Sequence, residues 1–327
     1  MISYSKRNFW EEKKLERILI IGGAGFIGSN LAEALYKNFD VYVIDNYRTG
    51  KKENISFLDS SKIFNVDILD SSRITNIFKK HKFDYVVHLA ALVSVAESIE
   101  NPYLSNELNS VATLKLLETI KVYNKEIKKF VFASSAAVYG NSSELPKRIQ
   151  SPVMPLTPYA TDKYFGERTT VNYFNLYNIP TVATRFFNVF GPRQDPKSPY
   201  SGVISKVFDS FENNKRFTFY GDGLQSRDFI YISDVVEAIK LVMLSTNTSG
   251  NVYNVGTGKN IDLLSVFKIV EELYEKNIDI EFKEERLGDI KHSYADIQEL
   301  KALGFTPRYS INHALKKYFD YCGVKVK

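Results

Sequence analysis

Through the first 187 positions, short apolar runs alternate with stretches of helical period. Residues 17–21 (RILII), 41–44 and 85–89 are continuous apolar runs, which predicts buried strands. Weaker strand patterns follow at 62–66, and clear ones at 130–133 and 181–185. Between them, 26–36, 71–80, 104–124 and 159–176 carry the spacing of helices with one apolar face. Strands alternating with helices predict parallel βαβ units. Strands without polar alternation predict a sheet covered on both faces. The fold class is therefore α/β, a Rossmann-type doubly wound parallel sheet.

After about residue 187 the texture changes. Segment 190–202 (FGPRQDPKSPYSG) is rich in Gly, Pro and Ser and reads as loop, with shorter elements beyond it and a helix at 263–275. This divides the chain into a dinucleotide-binding domain at 1–187 and a smaller α/β substrate-binding domain at 188–327. A strand near 251–256 is expected to return to the first domain. In such sheets ligands bind outside the carboxyl ends of the strands.

The first strand runs into Gly22-Gly23-Ala24-Gly25-Phe26-Ile27-Gly28, with glycines at 22, 25 and 28. Gly22 permits a tight turn, Gly25 lets backbone approach a pyrophosphate, and Gly28 allows close helix–strand packing. The following helix N-terminus offers free N–H groups to that anion. Asp45 ends the second strand about twenty residues later, where a carboxylate accepts from both ribose hydroxyls and repels a 2′-phosphate. The pattern favours NAD, while the nearby Arg48 leaves NADP open. Asp67, after a short strand, is a candidate for the adenine amino group or for a plain turn aspartate.

Tyr159 and Lys163 are four apart and share a helix face. An ammonium beside a phenol should lower the phenol pKa toward the range useful to a general base. Pro158 is consistent with a helix starting there.

In order along the chain come GGAGFIG, HLAA (88–91), SSAAVYG (134–140) and Tyr159-x-x-x-Lys163. Later come RFFNVFGPRQDP (185–196), GDGLQSRDFIYI (221–232), NVGTG (254–258) and RLGDIKHSYAD (286–296). From Arg17 onward the chain resembles the extended short-chain dehydrogenase/reductase family, in particular its NAD-dependent nucleotide-sugar 4-epimerases. The resemblance implies Ser135, Tyr159 and Lys163 as catalytic residues: Ser135 hydrogen-bonds the reacting hydroxyl, Tyr159 exchanges its proton, and Lys163 also holds the nicotinamide ribose. It implies a cofactor site of Gly22, Gly25, Phe26, Ile27, Gly28, Asp45, Asn46, Asp67, Ile68, Leu89, Ala90, Ala91, Tyr159 and Lys163. It places Arg227 and Arg286 on a nucleotide diphosphate and Asn188 on the diphosphate or sugar. Ser94 and Ser134 would line the sugar, Phe219 would pack beside the base, and Arg193 is either a further cation for the site or a surface residue. No metal is implied.

Within that family, sugar 4,6-dehydratases carry an Asp-Glu pair directly after the catalytic Ser/Thr, and decarboxylases keep a glutamate at the second position. Ala136 and Ala137 stand there. Uronic-acid epimerases tend to place an arginine after the HLAA segment, and this chain reads ALVSVAES (91–98). The resemblance thus implies plain C4 epimerisation of a UDP-hexose through a 4-keto intermediate. The resemblance puts Ser293 at the position bordering C2 of the hexose, with Tyr294, whose ring would close that space, as the alternative. A serine leaves room for an N-acetyl group, which implies UDP-GlcNAc/UDP-GalNAc, with UDP-Glc/UDP-Gal as further substrates. Two rivals are a net NAD(P)-linked reductase of the same fold and a non-enzymatic dinucleotide-sensing module. A sensor would have no use for Ser135, Tyr159 and Lys163 together.

The net charge of +5 is scattered along the chain, which argues against a nucleic-acid partner. Cys322 is the single cysteine, so no intrachain disulfide is possible. Residues 1–16 are polar and lack the apolar run of a signal peptide, and no stretch is long and apolar enough to span a bilayer. The expectation is a cytoplasmic protein whose partners are a nucleotide sugar and a second copy of the chain. The resemblance implies that the two copies pair through the helices at 104–124 and 159–176.

Overall fold

The structure is a computed structural model, and it describes residues 15–195, 202–285 and 290–323. The first part runs β1 (Arg17–Ile21), α1 (Phe26–Leu35), β2 (Asp40–Asp45), β3 (Ile63–Asn65), α2 (Ser71–Lys80), β4 (Tyr85–His88), α3 (Val95–Glu100), α4 (Pro102–Asn106), α5 (Ala112–Tyr123), β5 (Lys129–Ser135), α6 (Pro158–Tyr177) and β6 (Thr181–Phe186). The second part runs β7 (Asn188–Phe190), α7 (Val203–Glu212), β8 (Phe217–Tyr220), β9 (Ser226–Arg227), β10 (Phe229–Tyr231), α8 (Ile232–Leu244), β11 (Val252–Val255), β12 (Ile261–Asp262), α9 (Leu263–Tyr274), β13 (Ile280–Lys283), β14 (His292–Ser293), α10 (Gln298–Ala302) and α11 (Ile311–Cys322).

Seven strands form one parallel sheet in the order β11-β6-β5-β4-β1-β2-β3. This is the doubly wound Rossmann-type fold. The order reverses beside β1, so the carboxyl ends of β1 and β4 open the crevice where such sheets bind ligands. Alternate residues of the apolar strands feed two cores. Ile18, Ile20, Val41 and Val43 pack toward α1 and α8, and this core continues into the second part. Leu19, Ile21, Ile44 and Val86 pack on the other face with Phe78, Leu116 and Ile120.

The long helix expected at 104–124 is interrupted. A π-helical turn at Glu107–Val111 separates α4 from α5. The extra residue in that turn is accompanied by inward-facing polar side chains. Asn109 bonds the backbone of Leu92 at both N–H (2.8 Å) and C=O (3.0 Å). Ser105, Asn106 and Ser110 all donate to the buried Asp162 of α6, at 2.6, 2.9 and 3.0 Å. The turn thus ties the segment after β4 to the helix bearing Tyr159.

That helix is seated by a buried ion pair. Glu167 and Arg185 are almost fully buried, with Arg185 Nε and Nη2 donating to the two carboxylate oxygens at 2.8 and 2.6 Å. Ser134 donates to the same carboxylate at 2.8 Å. A side chain at Gly166 would sit 2.4 Å from the Phe132 ring, so glycine lets α6 lie directly on β5.

Removing one member of a buried, hydrogen-bonded pair strands the other charge and costs about 3–5 kcal/mol. Arg185→Ala should therefore lower the urea midpoint by that equivalent. Arg185→Met with Glu167→Gln, which removes both charges, should recover a large part of the loss. Equal instability of single and double variants would show that the charges are not what matters.

Candidate active site

The glycine loop occupies the crevice at the end of β1. Gly22 has φ +83°, and a Cβ there would lie 2.6 Å from the Ala90 nitrogen, so the loop packs on the segment after β4. Leu89 and Ala90 both donate to the Ile21 carbonyl, at 2.8 and 2.9 Å, which fixes that segment with Ala91 beside the loop. At Gly25 a Cβ would meet only the Gly22 oxygen, at 3.3 Å. Gly25 precedes α1 without any capping side chain, leaving the first-turn N–H groups of Phe26, Ile27 and Gly28 for a ligand.

Asp45 is buried at the end of β2 and accepts from Ala24 N–H at 2.9 Å and Tyr47 N–H at 2.8 Å. Burial pushes its carboxyl above the ordinary value, against the pull of backbone donors from Tyr47, Ala24 and Gly25. Asn46 donates to Asp67 at 2.7 Å, and Asp67 also accepts from Leu69 N–H. Ile68, next to Asp67 in the chain, is buried. A glycine cradle, an uncapped helix start and a carboxylate at the next strand end suit the pyrophosphate and ribose of a dinucleotide. Arg48 is ion-paired with Glu97 of α3.

At the carboxyl end of β5, Ser135 leads into a turn of Ala136–Tyr139 and accepts from Ala137 N–H at 3.2 Å. Thr157 caps α6 and Pro158 opens it, placing Tyr159 in its first turn. Ser98 of α3 accepts from Tyr159 N–H at 3.2 Å. The Tyr159 hydroxyl faces the Ser135 side chain, whose pull on the phenol opposes burial. Lys163 donates to the Ala133 carbonyl at 2.9 Å, and its ammonium lies 6.0 Å from the Tyr159 ring centroid.

The expectation that this ammonium lowers the phenol pKa is not met. Burial pushes Tyr159 up, opposed by Ser135, and no pull from Lys163 registers. Burial also brings Lys163 down to about 8, opposed by the charge of Asp162. Both groups are driven toward their neutral forms because desolvation outweighs their mutual effect at this separation.

Other expected site residues fall in varied places. Asn188 lies at the start of β7, where its side chain donates to the Asp228 carbonyl at 3.2 Å. Arg227 is half-buried on β9, in register with Ser293 on β14. Ser94 is buried and caps α3, accepting from Glu97 N–H at 2.9 Å. Arg286 lies outside the described residues. Ser134 turns its hydroxyl into the core toward Glu167. Phe219 is 1% exposed, stacked on Phe282 and edge-on to Phe217 and Phe267. Strand alternation explains this: Phe217 and Phe219 point inward, and the half-exposed Tyr220 occupies the outer side. Arg193 is bound to α1 through the Ser29 carbonyl and Glu33.

Sequence reasoning missed the residue that holds together the segments around Arg227 and Ser293. Asp228 is fully buried and accepts from Thr257 N–H and Oγ1–H, Gly258 N–H and Ala295 N–H, at 2.6–3.1 Å. It draws the 254–258 loop and the 293–296 segment onto the strand that carries Arg227. Asn254 completes the joint, accepting from Tyr139 Oη–H at 2.7 Å and donating to the Lys147 and Asp296 carbonyls. The available signal was an acid directly before the apolar run FIYI.

Comparison with known proteins agrees with this geometry. The family model described as GDP-mannose 4,6 dehydratase matches residues 19–318. A UDP-N-acetylglucosamine 4-epimerase from Methanobrevibacter ruminantium, solved in complex with UDP-N-acetylmuramic acid, is 38% identical. It superposes with a TM-score of 0.88 over 94% of this chain and 98% of that one. A UDP-glucose 4-epimerase of Thermus thermophilus, solved in complex with NAD, is 33% identical, with a TM-score of 0.86 over 93% and 98%. The dTDP-D-glucose 4,6-dehydratase of Homo sapiens is 30% identical over 321 residues, covering 94% of this chain and 89% of the relative.

Asp45→Ala should weaken NAD binding and narrow its advantage over NADP. It should also cost about 1–3 kcal/mol of stability, because the Ala24 and Tyr47 N–H groups lose their buried acceptor. Titration of stripped protein with each nucleotide, with thermal unfolding alongside, reads both effects. A variant that binds NAD as tightly as the parent would remove Asp45 from the ribose site.

Proposed function

This chain belongs to the GDP-mannose 4,6 dehydratase family, within the extended short-chain dehydrogenase/reductases, and from that premise we propose that it epimerises C4 of a UDP-hexose. The cofactor is NAD. When bound, NAD supplies the hydride acceptor and donor, together with a cationic ring. The chain supplies proton transfer and positioning. Ser135 hydrogen-bonds the substrate O4, Tyr159 takes the O4 proton as C4 becomes a ketone, and the same proton returns when C4 is reduced from the opposite face. Lys163, anchored on Ala133, holds the ribose next to this pair.

One observation carries epimerisation over dehydration. Ser135, Ala136 and Ala137 lie half-exposed at the mouth of the crevice. Eliminating water across C5 and C6 needs an acid and a base, and methyl groups at the two positions after Ser135 transfer no proton. The substrate reading rests on Ser293. It sits on β14 with its carbonyl accepting from Asp228 N–H at 2.9 Å, next to the strand of Arg227. A small side chain there leaves volume for a C2 N-acetyl group. The 38% identity to a UDP-N-acetylglucosamine 4-epimerase supports the same choice. Arg227 and Arg286 would hold the diphosphate, Asn188 the diphosphate or sugar. The division at residue 187 assigns cofactor to the first part and sugar to the second, with β11 completing the first part's sheet. A second copy of the chain is the proposed macromolecular partner. Leu114 and Val122 on α5, with Phe165, Leu176 and Tyr177 on α6, are exposed apolar residues on the two expected pairing helices. Among the described residues no helix is long and apolar enough to cross a membrane.

Tyr159→Phe should keep fold and NAD but lose roughly 10²–10⁴ in kcat, since the proton-transfer group is gone. In the parent enzyme kcat should fall on the alkaline side as Lys163 loses its proton near pH 8. Near-parental turnover in Tyr159→Phe would sink the mechanism, and a rate still rising through pH of about 9.5 would remove the ammonium from it.

The sugar assignment is tested by comparing kcat/KM for UDP-GalNAc and UDP-Gal. The parent should prefer the acetylated sugar, and Ser293→Tyr should cut that preference by at least about tenfold through steric overlap. A parent that strongly prefers UDP-Gal, or a tyrosine variant that handles UDP-GalNAc unchanged, would overturn it.

A further inference from the structure

The segment after β2 curls around Asp45. Tyr47 N–H donates to one carboxylate oxygen at 2.8 Å, and a Cβ at Gly50 would lie 2.9 Å from the same oxygen. Lys51 N–H returns to the Ala24 carbonyl at 3.1 Å. Arg48 stands at the apex of this loop, three residues from the carboxylate of the expected ribose site. A cation in that place is what a 2′-phosphate needs, since the phosphate brings a charge of about −1.5 to −2.

All three cations of the loop are engaged. Lys51 pairs with Asp195 at 3.0 Å, and Lys52 lies 5.4 Å over the Tyr47 ring. Arg48 pairs with Glu97. Glu97 is not a drifting surface acid. Its side chain is 16% exposed, and its own N–H is held by the Ser94 hydroxyl in the first turn of α3. The next residue, Ser98, holds Tyr159 N–H. Glu97 is therefore fixed to the scaffold, and it reaches across the crevice to the ribose loop.

We propose that Glu97 is a cofactor-specificity residue, whose ion pair with Arg48 withholds that guanidinium from a 2′-phosphate. Asp45 repels the phosphate, and Glu97 occupies the cation that would otherwise meet it. The inference depends on the dinucleotide site alone and holds whichever sugar chemistry the enzyme performs.

The test reads bound nucleotide rather than turnover. Charcoal-stripped protein is equilibrated with equimolar NAD and NADP, desalted and heat-denatured, and the released nucleotides are quantified. Glu97→Gln should raise the NADP:NAD ratio roughly two- to fivefold, the scale of one partly exposed charge pair. Glu97→Gln with Arg48→Ser should return the ratio to the parental value. Arg48→Ser alone should leave it unchanged, because the guanidinium is already withheld. An unchanged ratio in a folded Glu97→Gln variant overturns the proposal. So does a raised ratio that survives in the double variant, or a drop in NADP uptake from Arg48→Ser alone.

Discussion

The buried pair between Glu167 and Arg185 decides where the chemistry can happen. Tyr159, Lys163 and Glu167 are spaced by four and lie along one face of α6. Only Glu167 meets a charge, supplied from β6, and a hydroxyl, supplied from β5. Two charges in a dry core are tolerated when their lone pairs and protons are used, and here the guanidinium fork fills both carboxylate oxygens. That requirement sets the rotation and height of the helix. With Gly166 flush against Phe132, Lys163 is brought onto the Ala133 carbonyl and Tyr159 to Ser135.

A second buried acid does the corresponding work in the second part of the chain. The strand of Arg227, the 254–258 loop and the 293–296 segment are far apart in sequence. Asp228 collects donors from the last two on one carboxylate, and Asn254 ties them to Lys147 in the loop before α6. Its carboxyl is pushed above the usual value by burial, with the donors of Thr257, Ala295 and Gly258 pulling the other way. The joint is anchored to the main sheet through Asn254 of β11.

What the sequence disclosed followed the strength of local periodicity. The six strands of the first part, and α1, α2 and α6 among its six helices, were readable because apolar runs and 3.6-residue spacing dominate there. The proposed catalytic triple came from the family resemblance, and the four-residue spacing of Tyr159 and Lys163 added only that the two share a helix face. The inward packing of Phe219 follows the strand alternation that also buries Phe217, and the bond of Ser134 to Glu167, 33 residues away, is a contact made only by the fold. The interruption at Glu107–Val111 was invisible because the polar residues that turn inward there are answered by Asp162, a contact made only by the fold.

The electrostatics of the catalytic pair shows why proximity alone is a weak argument from sequence. Four residues on a helix bring Lys163 near Tyr159, and in water that would suffice to favour phenolate. In the crevice the same packing that positions the pair also desolvates it, and desolvation penalises ammonium and phenolate together. His88, at the end of β4, reports the same environment: burial, aided by the charge of Lys163, holds it down at about 3. Its Nε2 contacts a Thr113 hydroxyl whose own proton goes to the Asn109 carbonyl, so Nε2 must donate. The carboxylate of Asp162 is the group that works against this trend at Lys163, and its three donors come from the α4–α5 region. The fold's own contribution is thus to keep Tyr159 protonated and Lys163 poised near 8. Further positive charge arriving beside the phenol is what would release its proton, which couples base strength to occupancy of the crevice.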